Sequence, residues 1–515
     1  MWTLFDDALS QALQEPHQAA AWRSVFAAAQ ELILDGHAEQ VHGRLMAIED
    51  LDVRSEVLRW TLMRDLFGNT DYAEKAADFA LQIQPGGVDR LASLAAYGWG
   101  HAVKFGASKH QFVYRLKQGK VPELVAAMTA DAKCLLPDGL VPRVPTQVKR
   151  VAVILPHAGH AGHTPSAMVI SQCEVLVRCG MTVQLFACQE LSAAQPDLYS
   201  GSPEGVLLPP IDLAYWQTHL PAGVSLDVAA DHRISLPNRW RNMLGKLSQF
   251  DPDLVWVIGL YSPLASAIYE RRPLMVMNVH ACPPIGAADV WLTSDLMAAQ
   301  EGGLWDGAQN WVPHLHPFRM KPPMVTGTLT RESLNIGQDA VVCITVGARL
   351  ASECPQEWVS GVLEVLRMSK NSVWLLVGGD GSKPPNLPER VDGVSVIVLG
   401  HRSDMGDLLR LSDVYLNPPR MGGGFSVAEA MASGCAVVAL GDGDGGDKLG
   451  PFAMPTQEAY FDFLRKILEN PLRRAIQSGS LLERFNSRLN LMYSDESLLC
   501  AMDLALKKAT PRILK

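Results

Sequence analysis

Three consecutive glycines, Gly422, Gly423 and Gly424, stand between Asn417-Pro418-Pro419-Arg420 and a run of good helix formers, Ala428-Glu429-Ala430-Met431-Ala432. A glycine-rich loop that opens a helix bares backbone N–H groups, and the helix dipole adds positive potential there, so the pattern suits a phosphate. A tight turn that binds nothing has the same composition. Ser426 adds a hydroxyl to the loop, and Glu429 sets a single carboxylate behind it. A second cluster, His157, His160 and His163, repeats at three-residue spacing in "HAGHAGHTPSAM". Histidine titrates near neutrality, which suits a general base. The same side chains would equally cap a helix, lie exposed or take a metal, although no fourth ligand accompanies them and a glycine-rich loop is a poor rigid platform. "LGDGDGGDKLG" carries Asp442, Asp444 and Asp447 but lacks the closing glutamate of an EF-hand, so it reads as a mobile loop. "VGGDGS" lacks the full dinucleotide fingerprint, which argues against a dehydrogenase.

The elements that must carry these groups follow from the apolar pattern. "VYL" before Asn417 predicts a buried strand, the segment from Ser426 a helix closed by Gly434, and "CAVVAL" the next strand, together a parallel βαβ unit. Residues 1–135 show helical periodicity throughout, as in "AAAWRSVFAAAQELIL" and "RSEVLRWTLMRDLF". "YAEKAADFALQIQPG" resembles the second helix of a tetratricopeptide repeat, without a second clear copy at the 34-residue period. The Pro-rich "CLLPDGLVPRVPTQVKR" then leads into alternating strands and helices over 149–312, and "VPHLHPFRMKPPMVTG" separates these from a second such series over 338–480. Residues 481–515 read as a helical tail. The fold class expected is α/β, two doubly wound lobes behind an all-α domain, with ligands bound between the C-terminal ends of the strands.

Composition narrows the partners. A chain of 515 residues exceeds one core, and 48% hydrophobic with 19% charged residues fits a globular protein. A formal net charge of −9 argues against general nucleic-acid binding. "LVWVIGLYSPLASAIY" is broken by Gly259 and Pro263 and too short to span a membrane, and "MWTLFDDALSQALQE" lacks the features of a signal peptide. Nine cysteines without CxxC spacing read as reduced thiols, so the compartment expected is cytoplasmic.

Tandem lobes of this kind, with a glycine-rich loop late in the second, describe the GT-B glycosyltransferase architecture. "ILPHAGHAGHTPSAM", "DLVWVIGL", "VMNVHACPPIGAADVWLTSD", "VGARL" and "SDVYLNPPRMGGGFSVAEAMASGCAVVAL" resemble, in order, the blocks of glycosyltransferase family 41, which holds the O-GlcNAc transferases and the bacterial N-glucosyltransferases of adhesins. The resemblance runs from about 149 to 445. Its last block equally resembles the retaining family 4 enzymes. The resemblance implies a catalytic His163, set before Thr164-Pro165-Ser166, with His157, His160 and His280 near acceptor or sugar. A satisfied structural role fits His280 as well. It implies Arg349 against a diphosphate, with Arg420, Lys448 and the amides of Gly422, Gly423 and Gly424 as further donors, and Ser426 beside them. The lysine that both families carry a few residues after Arg349 is replaced here, where Ser352 and Glu353 stand. Glu429 is implied to accept hydrogen bonds from ribose, or it is a first-turn acid stabilised by the helix dipole. Family 4 enzymes carry a glutamate near the position of Met421, and its absence favours family 41 and an inverting reaction.

The activity implied is transfer of a sugar, UDP-hexose favoured, from a nucleotide-sugar donor to a protein or glycan acceptor. No cofactor and no metal are expected, and the helical domain would hold the acceptor or a protein partner. Two alternatives remain open: a non-catalytic GT-B partner subunit, and a retaining family 4-like enzyme of surface polysaccharide synthesis.

Overall fold

The computed structural model describes the chain apart from residues 17, 84–86, 107, 160–162, 192–210, 230–233, 281, 294–310, 318–320, 370, 380, 382–386, 389–390, 392 and 515. From Trp2 to Lys133 its described residues form eight helices and no strand. Local chemistry sets their ends. Asp52 accepts the N–H groups of Arg54 and Ser55 at the start of helix Val53–Phe67, and Gly68 closes it in the left-handed region at φ 65°. That helix packs against Thr70–Leu81, the segment with the repeat-like pattern. Helix Val121–Lys133 packs on Pro263–Ile268 of the next domain. As a result Trp22, Leu62 and Phe112 share one apolar core with Trp240, Val257 and Leu264.

The first lobe holds seven strands: β1 (Arg150–Leu155), β2 (Thr182–Ala187), β3 (Ser225–Val228), β4 (Leu254–Ile258), β5 (Leu274–Met277), β6 (Val290–Thr293) and β7 (Val312–Leu315). Their order is β3-β2-β1-β4-β5-β6-β7, and every pair is parallel. The second lobe holds β8 (Val341–Val346), β9 (Ser372–Val377), β10 (Ser395–Leu399), β11 (Val414–Leu416) and β12 (Ala436–Val438), in the order β10-β9-β8-β11-β12, again all parallel. Strands β4 and β9 are buried throughout and β1 from Val151 onward, as sheets covered on both faces require. Chain order reverses between β1 and β4 and between β8 and β11, the switch points where α/β sheets open a crevice. His157 follows β1, Arg349 follows β8, and the glycine loop follows β11.

Two boundaries fall differently from the sequence expectation. The first lobe does not stop at 312, because β7 begins there. Pro313 and His314 made that segment read as a linker, and β7 sits at the sheet edge, where a strand tolerates proline. Nor do residues 481–515 form a tail of their own. Helix Pro471–Arg488 runs through 481 and buries Leu481 and Phe485 under the second lobe. Helix Asp495–Ile513 then crosses back to the first lobe and covers its sheet with Leu498, Ala501, Met502 and Ala505. Arg178 Nε lies 2.8 Å from Asp495, the Ser497 hydroxyl donates to Leu315 O at 2.7 Å, and Arg512 reaches Asp289 at 2.6 Å.

Candidate active site

On the second lobe, the helix after β11 is Gly424–Ala432, with Gly423 at its N-cap in the left-handed region at φ 90°. A Cβ on Gly423 would lie 2.5 Å from Asn417 Oδ1 and 2.6 Å from the Arg420 guanidinium, and one on Gly424 would lie 2.8 Å from Asp444 O. Packing therefore demands those two glycines whether or not a ligand binds. Gly422 differs, since a Cβ there meets nothing within 4 Å. The Ser426 hydroxyl turns back to Gly423 O at 3.4 Å. Because the helix starts at Gly424, Glu429 lies in its second turn, and the first turn contains no acid. Stabilisation of a first-turn carboxylate by the dipole thus does not describe it. Glu429 is partly buried, its carboxylate accepts no hydrogen bond among the described residues, and burial pushes that carboxyl up to about 7.

The cations expected at this corner divide into two kinds. Arg420 is buried, and its guanidinium is held by Glu353 Oε2 at 2.5 Å, Val346 O at 2.8 Å, Asn417 Oδ1 at 3.0 Å and the Tyr415 hydroxyl at 3.3 Å. It braces the underside of the glycine loop, and every nitrogen of its guanidinium already has a partner within the protein. Lys448 is likewise buried, and its ammonium pairs with Asp447. Arg349 is different: it reaches Glu353 Oε1 at 2.7 Å with its side chain 40% exposed. Burial alone would raise the Glu353 carboxyl, but Arg420 and Arg349 outweigh it and hold the group below the ordinary carboxylate range. The acidic segment expected to be a mobile loop is in part the helix Asp444–Leu449, whose Asp444 N–H donates to Met421 O at 2.8 Å.

On the first lobe, β1 ends at Leu155, and His163 is the N-cap residue of helix Thr164–Arg178. Its Nδ1 lies 2.7 Å from Ser166 Oγ, which also accepts the Gly159 N–H at 3.0 Å. The His157 and His163 rings meet edge to face with centroids 5.6 Å apart. Both line a pocket of about 450 Å³ of empty space, mostly apolar, with Trp99, Tyr261, Leu260 and Val279 among its walls. His160 lies outside the described residues. Trp99, from helix Val88–Phe105, and Tyr261, after β4, carried no signal in the sequence, because each reaches the pocket from an element remote in the chain.

His280 stands apart from that pocket's lining. Trp99 Nε1 lies 3.4 Å from its Nε2, the Phe112 ring is 4.9 Å away, and Asp444 approaches Nδ1 at 4.0 Å. It therefore marks a junction of the helical domain with both lobes. Nearby, the Met421 N–H donates to Gly106 O at 3.2 Å, and Asp442 accepts the Lys109 N–H at 2.9 Å and approaches His110 Nδ1 at 3.0 Å. The helical domain thus touches the glycine loop directly.

Comparison with known proteins gives this geometry a class. Residues 341–470, from β8 through the end of helix Gln457–Glu469, match the family model described as glycosyl transferases group 1. No curated protein matches the chain. Among solved structures, an O-GlcNAc transferase variant from Thermobaculum terrenum superposes with a TM-score of 0.55 over 99% of this chain and 94% of that one, at 13% identity. A glycosyltransferase from Rickettsia africae ESF-5 gives a TM-score of 0.49 over 70% of this chain and 100% of that one, at 12% identity. Two parallel α/β lobes behind a helical domain are the GT-B arrangement, and with a group 1 glycosyl transferase domain as its second lobe the chain is a glycosyltransferase.

Proposed function

We propose that this glycosyltransferase moves a hexose from a UDP-linked donor to a side chain on a protein acceptor, with inversion at the anomeric carbon, in the manner of the family 41 enzymes it resembles. The observation that carries the reading is Glu429: a partly buried carboxylate without a hydrogen-bond donor among the described residues, one and a half turns behind the glycine loop. Two vicinal ribose hydroxyls are the donors such a group needs, since a carboxylate accepts both at once. The free space at Gly422 lets its backbone approach a phosphate, and Arg349 is the exposed cation of the same corner.

In the transfer, His163 takes the proton of the acceptor group as that group bonds to the anomeric carbon. The bond from that carbon to the diphosphate breaks, its electron pair leaves with the diphosphate, and Arg349 with the loop amides meets the charge. A basic His163 requires that Nδ1–H donate to Ser166 Oγ, which leaves the lone pair on Nε2. Neither a metal nor an organic cofactor enters this scheme. Trp99 brings the helical domain to the pocket beside His163, which supports placing the acceptor there. None of the nine cysteines is in a disulfide, and no helix among the described residues is long and apolar enough to cross a membrane, which supports a cytoplasmic site of action.

The test is nucleotide binding. UDP, GDP and dTDP are added singly, and one of them raises the melting temperature. Glu429→Ala removes most of that rise. If none binds the wild type at millimolar concentration, the proposal fails. The group 1 match over 341–470 favours a second reading, retaining transfer in the manner of family 4, and the anomeric configuration of the product decides between the two.

A further inference from the structure

One carboxylate at the phosphate corner has no part in the transfer just described. Glu353 ends the short helix Leu350–Glu353 after β8, with one oxygen 2.7 Å from Arg349 and the other 2.5 Å from Arg420. The fold is shaped around this cluster. A Cβ on Gly347 would lie 2.6 Å from Arg420 Nη1 and 3.2 Å from Glu353 Oε2. Arg420 is sealed in by Asn417 and Val346 as well, so its charge is fixed in place. Arg349 is 40% exposed and bonds one oxygen of Glu353 through Nε and Nη2, so an anion arriving from solvent competes with that carboxylate for the guanidinium. Two guanidiniums with one carboxylate leave a single net positive charge where the cations alone would leave two.

We propose that Glu353 is an internal competitor for the donor's diphosphate. It occupies Arg349 until the nucleotide arrives, and it then faces the bound phosphates as a like charge. The affinity of the corner for a diphosphate is thereby held down, and the charge gained by the diphosphate on bond cleavage is met without the product being trapped. Glu353 acts here as a specificity-determining residue, through Arg349 and through its field, and forms no bond to the sugar. The inference rests on the reading of this corner as the phosphate subsite.

The experiment compares a nucleoside with its monophosphate and diphosphate by calorimetry, using whichever of the uridine, guanosine and thymidine series binds. In the wild type the second phosphate should improve affinity by less than about tenfold, because Arg349 is already engaged. A hundredfold gain or more from that phosphate overturns the proposal, and this measurement needs no variant. Glu353→Gln keeps the shape and one acceptor oxygen while removing the charge. It should tighten the diphosphate by about tenfold or more, leave the nucleoside unchanged and steepen the loss of diphosphate affinity with salt. A folded Glu353→Gln protein that binds the diphosphate no better than wild type overturns the inference while Glu429-dependent nucleotide binding keeps the proposed function standing. Absence of nucleotide binding in both proteins overturns the two together.

Discussion

Burial lifts the Glu429 carboxyl from its usual 4.5 to about 7, so near neutrality a large share of the molecules carry it protonated. Ribose hydroxyls donate best to the ionised form, and nucleotide binding must therefore expel that proton. Affinity should rise with pH by up to about tenfold per unit below the carboxyl's pKa and level off above it. Glu429→Gln should flatten the dependence, as titration calorimetry across the pH range would report. In the free protein the sign is opposite: the folded state holds a proton that the unfolded state has released, so the contribution of Glu429 to stability falls as pH rises from about 4.5 to about 7. At the other side of the cleft, His163→Ala should cut turnover by about a hundredfold or more while donor affinity stays put, because its role is proton transfer. His157→Ala should do less. Normal turnover in the His163→Ala enzyme would put the retaining reading ahead of the inverting one.

The short helix Pro263–Ile268 depends on a buried acid from another element. Glu190, just beyond β2, accepts the Ser262 hydroxyl at 2.6 Å, the Trp240 indole N–H at 2.9 Å and the Leu264 N–H at 3.0 Å. Burial outweighs these bonds and lifts its carboxyl to about 7. The folded value exceeds the unfolded one, so full stability is present below about 4.5 and declines through about 7, by roughly 3 kcal/mol at most. Glu190→Gln keeps one acceptor oxygen for the Trp240 and Leu264 N–H groups without the charge, and its amide N–H can donate to the Ser262 hydroxyl in place of the bond it accepts now. Denaturant titrations should find it gaining on the wild type between pH 5 and pH 8, whereas Glu190→Ala, which orphans three buried donors, should lose stability at both.

Most elements were open to reading in the sequence because parallel strands covered on both faces are written as unbroken apolar runs, as in "VAVIL" and "VWLLV". β7 was not, since Pro313 and His314 break the run at a sheet edge. The βαβ unit around the glycine loop was anticipated, but its helix begins two residues early, which moves Glu429 out of the first turn. Periodicity marks which face a residue lies on and says nothing of which distant charge it meets. For that reason Arg420 read as a candidate for phosphate when Glu353, 67 residues away, had already claimed it. Trp99 and Tyr261 went unseen for the same cause, since neighbours in a pocket need no neighbourhood in the chain.

At the scale of the molecule, the helix Asp495–Ile513 is the seal on the first lobe. Leu498 is fully buried in the core it shares with β1, β2 and β4. Leu498→Ala should cost about 2–5 kcal/mol and lower the melting temperature of that lobe, whereas Leu499→Ala, next to it on the exposed side, should cost little. Calorimetric scans of the two variants would separate them. The return of this helix also sets an order of events during translation. The second lobe has every strand and its packing helix by Arg488, so it can close as soon as that stretch leaves the ribosome. The first lobe, though made earlier, waits with part of one face of its sheet uncovered, over β5 and β6, until the residues up to Ile513 emerge. The nascent chain therefore finishes in the reverse of its written order, and chaperones that hold apolar surface would find their longest-lived target in the older half.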